Sequence, residues 1–242
     1  MQEKCNFCCT DIKNLSVAFE EKVLDKVSMH LHCGEITVII GKNGSGKSTL
    51  LKAIIGDVKH TGTISFDSKH TNSKKLTIGY VPQKINVEES PMSVYDLVRT
   101  YTVKDSVLFK GKAKQREEIT KHLKDFGVDK LMDKRACSLS GGQLQRVMIA
   151  IATYPYPELL ILDEPLSGVD NKGQEEFYKL LKKIKDEHDI SILLVSHDFA
   201  RIQNYADKVI LLNKKILKKG TALEVIQSEE FQKEFGLGGV IK

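Results

Sequence analysis

Apolar and polar positions alternate along this chain in two different rhythms. Short β-branched runs recur at Phe7–Ile12, Ser16–Phe19, Val27–Leu31 and Glu35–Ile40, and again at His60–Asp67 and Leu76–Val81. Runs of this length and composition predict strands, the fifth entered through a turn at Gly62. The polar stretch Lys69–Lys75 has no periodicity and predicts a loop. Residues 84–135 change character. Ser93-Val94-Tyr95-Asp96 is a helix-start pattern, and Ile119, Leu123 and Phe126 fall at helical spacing within Lys114–Phe126. This block holds no strong strand candidate and reads as an inserted helical lobe.

After it, the rhythms interleave. Helices are expected at Gly141–Ala152, Gln174–His188 and Phe199–Tyr205, and a short final one is capped by Thr221. Strands are expected at Leu159–Asp163, Ile190–Ser196 and Lys208–Asn213. Strand–helix alternation predicts an α/β fold with a parallel sheet and crossover helices. Beyond Gly220 only the short helix and a tail, Phe231–Lys242, are expected, and no functional account of that tail is available from its residues.

Composition narrows the class. With 242 residues and 41% apolar content the chain can bury a large core. No run of eighteen apolar residues is present, so no membrane-spanning helix is expected. The first residues lack the apolar segment of a secretory signal, which places the chain in the cytoplasm as an expectation. The net charge of +5 comes from scattered lysines. It fits a solvated basic surface, with attraction to an anionic membrane face as the alternative. No basic groove with interleaved aromatics points to nucleic acid. Five cysteines, an odd number, argue for free thiols. Cys5, Cys8 and Cys9 form an incomplete metal set, and His30 and His32 share one strand face as ordinary surface residues.

The chemistry centres on Gly41-Lys42-Asn43-Gly44-Ser45-Gly46-Lys47-Ser48-Thr49, which fits the phosphate-loop pattern. A strand precedes it, and Leu50–Ile55 with Gly56 reads as a helix and its stop. Gly41, Gly44 and Gly46 allow backbone N–H groups to converge on one concavity, and the helix N-terminus adds its positive dipole end. Lys47 would reach the β- and γ-phosphates of ATP, and the Ser48 hydroxyl would hold Mg²⁺. The bland alternative is a glycine-rich turn in an unrelated α/β fold. Asp163 and Glu164 end an apolar strand; Asp163 would bind Mg²⁺ opposite Ser48, and Glu164 would act as general base toward water. Gln83 and His197 each follow a predicted strand, so both would reach the same sheet edge, where either can orient water or a phosphate. Ser140-Gly141-Gly142-Gln143 opens a helix and is a second phosphate-binding candidate; the alternative is an N-capped helix and nothing more.

These motifs occur in the order and spacing of the ABC-type ATPases, which the chain resembles over nearly its whole length. Leu139–Gln143 is similar to that family's signature. The resemblance implies an ABC nucleotide-binding domain with a parallel core sheet, an antiparallel β subdomain and an inserted helical subdomain. Residues 1–83 and 154–228 would form the core with the β subdomain, 84–153 the helical and signature part, and 229–242 a tail. It further implies a homodimer that closes on two ATP molecules. Ser140, Gly141, Gly142 and Gln143 of one protomer would face the ATP of the other. Asp170, in Ser167-Gly168-Val169-Asp170, would lie on the loop crossing the dimer. Phe19 would stack on adenine where the family often has Tyr, and Gln83 would serve Mg²⁺ as well as the link to the helical lobe. The helical lobe would carry the motion to integral-membrane permease subunits, served indirectly by an extracytoplasmic solute-binding protein.

Finer wording resembles the ATPases of bacterial metal-ion importers. The phrases are Tyr80-Val81-Pro82-Gln83, Ser90-Pro91-Met92-Ser93-Val94 and Asp163 to Gly173. Zinc is the closest match, with manganese or iron as alternatives. A soluble ABC ATPase of the iron–sulfur assembly type is the alternative of another class.

Overall fold

The computed structural model describes residues 9–67, 76–84, 91–102, 112–166 and 169–236. Phe7, Cys5, Cys8, the Lys69–Lys75 stretch, Ser90, Ser167-Gly168 and the end of the tail lie outside these residues. Nine strands and eight α-helices are described, in two sheets.

The larger sheet has six strands in the order β5-β6-β7-β3-β8-β9. They are β3 (Ile36–Ile40), β5 (Ile78–Val81), β6 (Leu159–Asp163), β7 (Ser191–Val195), β8 (Lys208–Asn213) and β9 (Lys215–Gly220). All neighbours are parallel except β8 and β9. The period of two sends alternate side chains into two cores. Leu159, Ile161, Leu193, Val195 and Ile39 meet α1 (Lys47–Ile55) and the smaller sheet. Leu160, Leu162, Leu194, Val38 and Ile40 meet α4 (Gly141–Ala152), α5 (Asn171–His188) and the helices after them. A strand buried on both faces has to be apolar throughout, which is why these strands read as uninterrupted runs.

The smaller sheet is antiparallel, β2-β1-β4, built from β1 (Cys9–Ala18), β2 (Lys22–Leu31) and β4 (Thr61–Asp67). The first expected pair of strands is one strand. Its buried positions run Thr10, Ile12, then Leu15, Val17, so the alternation slips by one residue. The slip is a bulge at Asn14, whose φ is +52°. Its partner strand slips likewise between Leu24 and Val27, at Lys26 with φ +50°. Two serines plug the bulges: Ser28 Oγ accepts from Asn14 N–H at 2.9 Å and Ser16 Oγ from Lys26 N–H at 2.8 Å. Gly62 is not a turn before β4 but a strand residue with φ +87°, where a Cβ would stand 2.5 Å from the carbonyls of Lys13 and Asn14.

Helices α2 (Val94–Thr102) and α3 (Lys112–Asp125) pack with α4 through Val94, Leu97, Val98, Ile119 and Leu123. Ser93 caps α2: its Oγ accepts from Asp96 N–H at 3.1 Å and donates to the Asp96 carboxylate at 2.6 Å. Helix α5 begins three residues before the expected Gln174, because Asp170 caps it and accepts from Gly173 N–H at 2.9 Å. Its first turn is polar, so hydrophobic periodicity does not report it. Two elements were not expected. The edge strand β9 is lysine-rich, as suits an exposed sheet edge. Helix α8 (Glu229–Phe235) follows α7 (Ala222–Ile226) and packs Phe231 and Phe235 on Phe199, each with ring centroids 5.1 Å away. Among the described residues no helix is long and apolar enough to cross a membrane.

Candidate functional site

Four parallel strands end at the same edge of the six-stranded sheet. β3 runs into the phosphate loop, β6 ends at Asp163 and is followed by Glu164, β7 leads through Ser196 to His197, and β5 leads to Gln83. Residues scattered over more than a hundred positions thus meet at the carboxyl ends of strands, where open parallel sheets bind ligands.

The loop closes around Lys47. Its Nζ donates to the carbonyls of Gly41 (2.9 Å) and Lys42 (3.0 Å), and the residue is only 6% exposed. Burial lowers its pKa, while the carboxylates of Glu164 and Asp163 act in the opposite direction. Gly46 precedes the helix with φ +98°, and a Cβ there would stand 2.6 Å from the Leu24 side chain. Gly41 has a different reason from the bend expected of it: a Cβ would stand 2.2 Å from the Leu212 carbonyl oxygen, so the need is for space. No side chain caps α1, which leaves its first-turn N–H groups directed at the loop. Ser45 Oγ is buried without a hydrogen-bond partner among the described residues. Such an atom is what a bound oxyanion would satisfy. Lys42, Asn43 and Gly44 form the exposed rim, and Ser48 and Thr49 are half-buried.

Ser48 Oγ donates to Asp163 Oδ1 at 3.2 Å. Asp163 is 3% exposed, and burial raises its pKa against the opposing effect of the Ser48 bond. Two hard oxygens beside a phosphate loop suit Mg²⁺, which takes few protein ligands and completes its shell with water and phosphate oxygens. Among the described residues no group of three or more His, Cys, Asp or Glu is arranged to hold a metal alone.

Glu164 has φ +47° and is engaged from three sides. Gln83 Nε2 donates to its Oε2 at 2.8 Å, His197 Nε2 lies 2.9 Å from its Oε1, and Lys47 Nζ lies 3.9 Å from Oε1. Gln83 therefore touches the expected base rather than the Ser48–Asp163 pair. Behind them Tyr178 OH and Ser196 Oγ are 2.9 Å apart and buried, anchoring the residue before His197. Phe19, on the β1–β2 turn, is 66% exposed; β2 brings that end of the small sheet against Gly46 through Val23 and Leu24.

The second candidate stands apart. Ser140 caps α4 in a full capping box: its Oγ accepts from Gln143 N–H at 3.4 Å, and Gln143 Oε1 accepts from Ser140 N–H at 3.2 Å. Ser140, Gly141, Gly142 and Gln143 line a cleft of about 680 Å³ together with Val169 and Asp170, and no phosphate-loop residue lines it. An ion pair from Arg146 to Glu176 joins α4 to α5 on this side. Sequence reasoning missed Arg201, which bonds to Gln174, Asp198 and the Asn171 carbonyl. Only its spacing of three from Asp198 on one helix was a legible signal.

Comparison with known proteins agrees with this layout. The family described as ABC transporter matches residues 24–167. The zinc import ATP-binding protein ZnuC of Hydrogenovibrio crunogenus is 38% identical over 229 residues, covering 93% of this chain and 87% of the relative. The manganese transport system ATP-binding protein MntB of Listeria innocua is 36% identical over 230 residues, covering 93% and 95%. Among solved structures, MJ1267, an ATP-binding cassette of an ABC transporter, superposes with a TM-score of 0.81 at 27% identity, covering 93% of this chain and 98% of that one. The cbiO1 protein of Clostridium perfringens, part of the transporter complex cbiONQ, gives 0.79 at 31% identity, covering 94% of each chain. This match over most of the chain, in company with a phosphate-loop pattern whose Ser48 bonds to the strand-end Asp163, establishes that the protein belongs to the ABC transporter family, as one of its ATP-binding, ATP-hydrolysing members.

Proposed function

We propose that the chain is the ATPase subunit of a bacterial metal-ion importer, zinc being favoured and manganese or iron the alternatives, and that it works at the inner face of the cell membrane on separate permease subunits. The observation that carries the ATPase chemistry is the convergence of Lys47, Ser48, Asp163, Glu164, His197 and Gln83 at one sheet edge. The relatives named for zinc and manganese transport support the choice of cargo.

In this reading adenine stacks on exposed Phe19, and the triphosphate lies in the loop from Gly41 to Thr49. The N–H groups at the start of α1 and the Lys47 ammonium hold the β- and γ-phosphates. Lys47 is already buried and bonded to two carbonyls, so little rearrangement is needed to reach a phosphate. Ser48 and Asp163 would hold Mg²⁺, which supplies charge neutralisation at the phosphate oxygens when bound. Glu164 takes the proton of the attacking water. In the structure both its carboxylate oxygens are occupied by Gln83 and His197. A γ-phosphate draws His197 and Lys47 toward itself and leaves Oε1 open to water. The base is thereby ready only when nucleotide is present.

Ser140 and Gly142 do not share a cleft with the phosphate loop of their own chain. A second protomer, turned head to tail, would bring its ATP to them and would place Asp170 at the crossing. Residues 1–83 and 154–228 would act as the nucleotide-binding core and 84–153 as the arm that moves a permease. Loss of the γ-phosphate removes the charge that both protomers hold, and the pair opens.

Disruption of the gene in its host, followed by growth under chelation with single metals restored, tests the cargo. Rescue by zinc alone is expected. Rescue by another metal changes the cargo and keeps the mechanism. Absence of a metal-dependent defect, with recovery of the protein among soluble assembly factors rather than with a membrane permease, would overturn the import reading.

A further inference from the structure

Arg201 lies on α6 (Phe199–Tyr205), the helix that begins two residues after His197. Its side chain is 20% exposed and reaches both the first turn of α5 and Asp198, the residue that caps its own helix. One terminal nitrogen donates to Asp198, the residue after His197, and also to Gln174 Oε1 at 2.9 Å. The other donates to the Asn171 carbonyl at 3.0 Å. Gln174 in turn uses its Nε2 to hold the Val169 carbonyl at 2.8 Å. The backbone on both sides of Asp170 is thus tied, through one guanidinium, to the residue beside His197. Asp198 is itself fixed at the helix start, where its Oδ1 accepts from Arg201 N–H at 3.2 Å.

A lysine could not make this set of contacts. The guanidinium is planar and presents several donors in a fixed fork, whereas an ammonium is a single point donor. Glu175 takes a further pair of contacts from the helix: Arg201 Nε lies 3.6 Å from its Oε2, and Tyr205 OH donates to its Oε1. The Tyr205 bond links α6 to α5 without touching Asn171, Gln174 or Asp198.

We propose that Arg201 is a positioning residue that couples the loop bearing Asp170 to His197, so that the arrival of a second protomer at Asp170 sets the imidazole for hydrolysis. The proposal rests on the dimeric ATPase reading above. Asp170 would meet the partner, the 169–171 backbone would shift as a unit, and Arg201 would pass the shift to Asp198 and His197. The two ATP sites would then fire cooperatively for a reason located in this chain.

The test is steady-state ATP hydrolysis with Mg²⁺ by the full chain and four variants, with thermal melting of each. Glu164→Gln checks the underlying reading; undiminished turnover there would sink the assignment of Glu164 as the base and is distinguishable from failure of the coupling, which Arg201→Met reports. Arg201→Met is expected to lower kcat about tenfold or more, as misplacement of a catalytic group by a fraction of an ångström does. Its KM for ATP should stay within about twofold of the parent, because the phosphate loop is untouched. The Hill coefficient should fall toward one. Arg201→Lys should recover only part of kcat, and Tyr205→Phe should keep parental kcat and cooperativity. Parental kcat and cooperativity in Arg201→Met would overturn the proposal. So would a loss in which kcat, ATP affinity and melting temperature fall together in both Arg201 variants, since that is what a purely structural contact produces.

Discussion

At the scale of single residues, the site concentrates charge where burial opposes it. Asp163 is almost fully covered, and its pKa is raised, chiefly by loss of water. For an acid raised in this way, stability is greatest when the group is protonated and is lost as pH climbs through the folded pKa. At neutral pH the ionised carboxylate is therefore a cost to the nucleotide-free fold. Asp163→Asn should raise the melting temperature of that state, because it removes a charge that burial disfavours. Asn keeps an oxygen for the Ser48 hydroxyl. The gain should shrink at acidic pH, where the parent takes up its proton. The same variant should lose Mg²⁺-dependent ATP hydrolysis. Calorimetric melts at two pH values beside a turnover assay check both halves. Gln83, Glu164 and His197 are each legible as strand-end residues, but the contacts that Gln83 and His197 make with Glu164 are not, because no local pattern reports a contact across 81 or 33 positions.

At the scale of elements, a pair of substitutions separates the observed cap at Ser140 from the phosphate contact proposed for it. Ser140 completes the capping box of α4, and in the proposed dimer it meets the partner's γ-phosphate. Ser140→Ala should cost about 1 kcal/mol of stability through the lost cap and should also slow hydrolysis. Ser140→Asp replaces one good cap by another while placing a negative charge against the phosphate. It should melt near the parent and still fail to hydrolyse ATP. If its turnover were parental, Ser140 would be a cap alone. The elements themselves were read well where burial is two-sided or helical periodicity is strong, as in β6, β8, α4 and α6. They were read poorly where the backbone leaves its repeat. The bulges at Asn14 and Lys26 reverse the alternation mid-strand; the first makes β1 look like two strands, and the second hides the first half of β2, of which only Val27–Leu31 is expected. The lysines of β9 and the polar first turn of α5 hid those boundaries for the opposite reason, since neither shows an apolar period to solvent or core.

At the scale of the whole molecule, the cleft lined by Ser140, Gly141, Gly142 and Gln143 takes no residue from the phosphate loop of the same chain. In the proposed dimer each ATP is contacted by both protomers, which makes dimerisation the measurement. In the Glu164→Gln background, where hydrolysis is blocked, ATP with Mg²⁺ should convert the protein from monomer to dimer in light scattering, and ADP should not. Adding Ser140→Asp should abolish the shift; a dimer of undiminished population in that double variant would place the contact elsewhere.

The residues by themselves determined the family, through a phosphate-loop pattern between a strand and a helix, an Asp-Glu pair at a strand end and the Leu139-Ser140-Gly141-Gly142-Gln143 run at a helix start. These patterns are local, because a loop that binds phosphate needs particular residues at consecutive positions. The tertiary structure decided what depends on distance through space. It set the strand order that brings β3, β5, β6 and β7 to one edge, and it engaged Glu164 with Gln83 and His197. It also docked α8 on Phe199 and tied Asp198 to Asn171 through Arg201. Such contacts join residues far apart in sequence, and the energy of each is realised only once the sheet has fixed the positions of both partners.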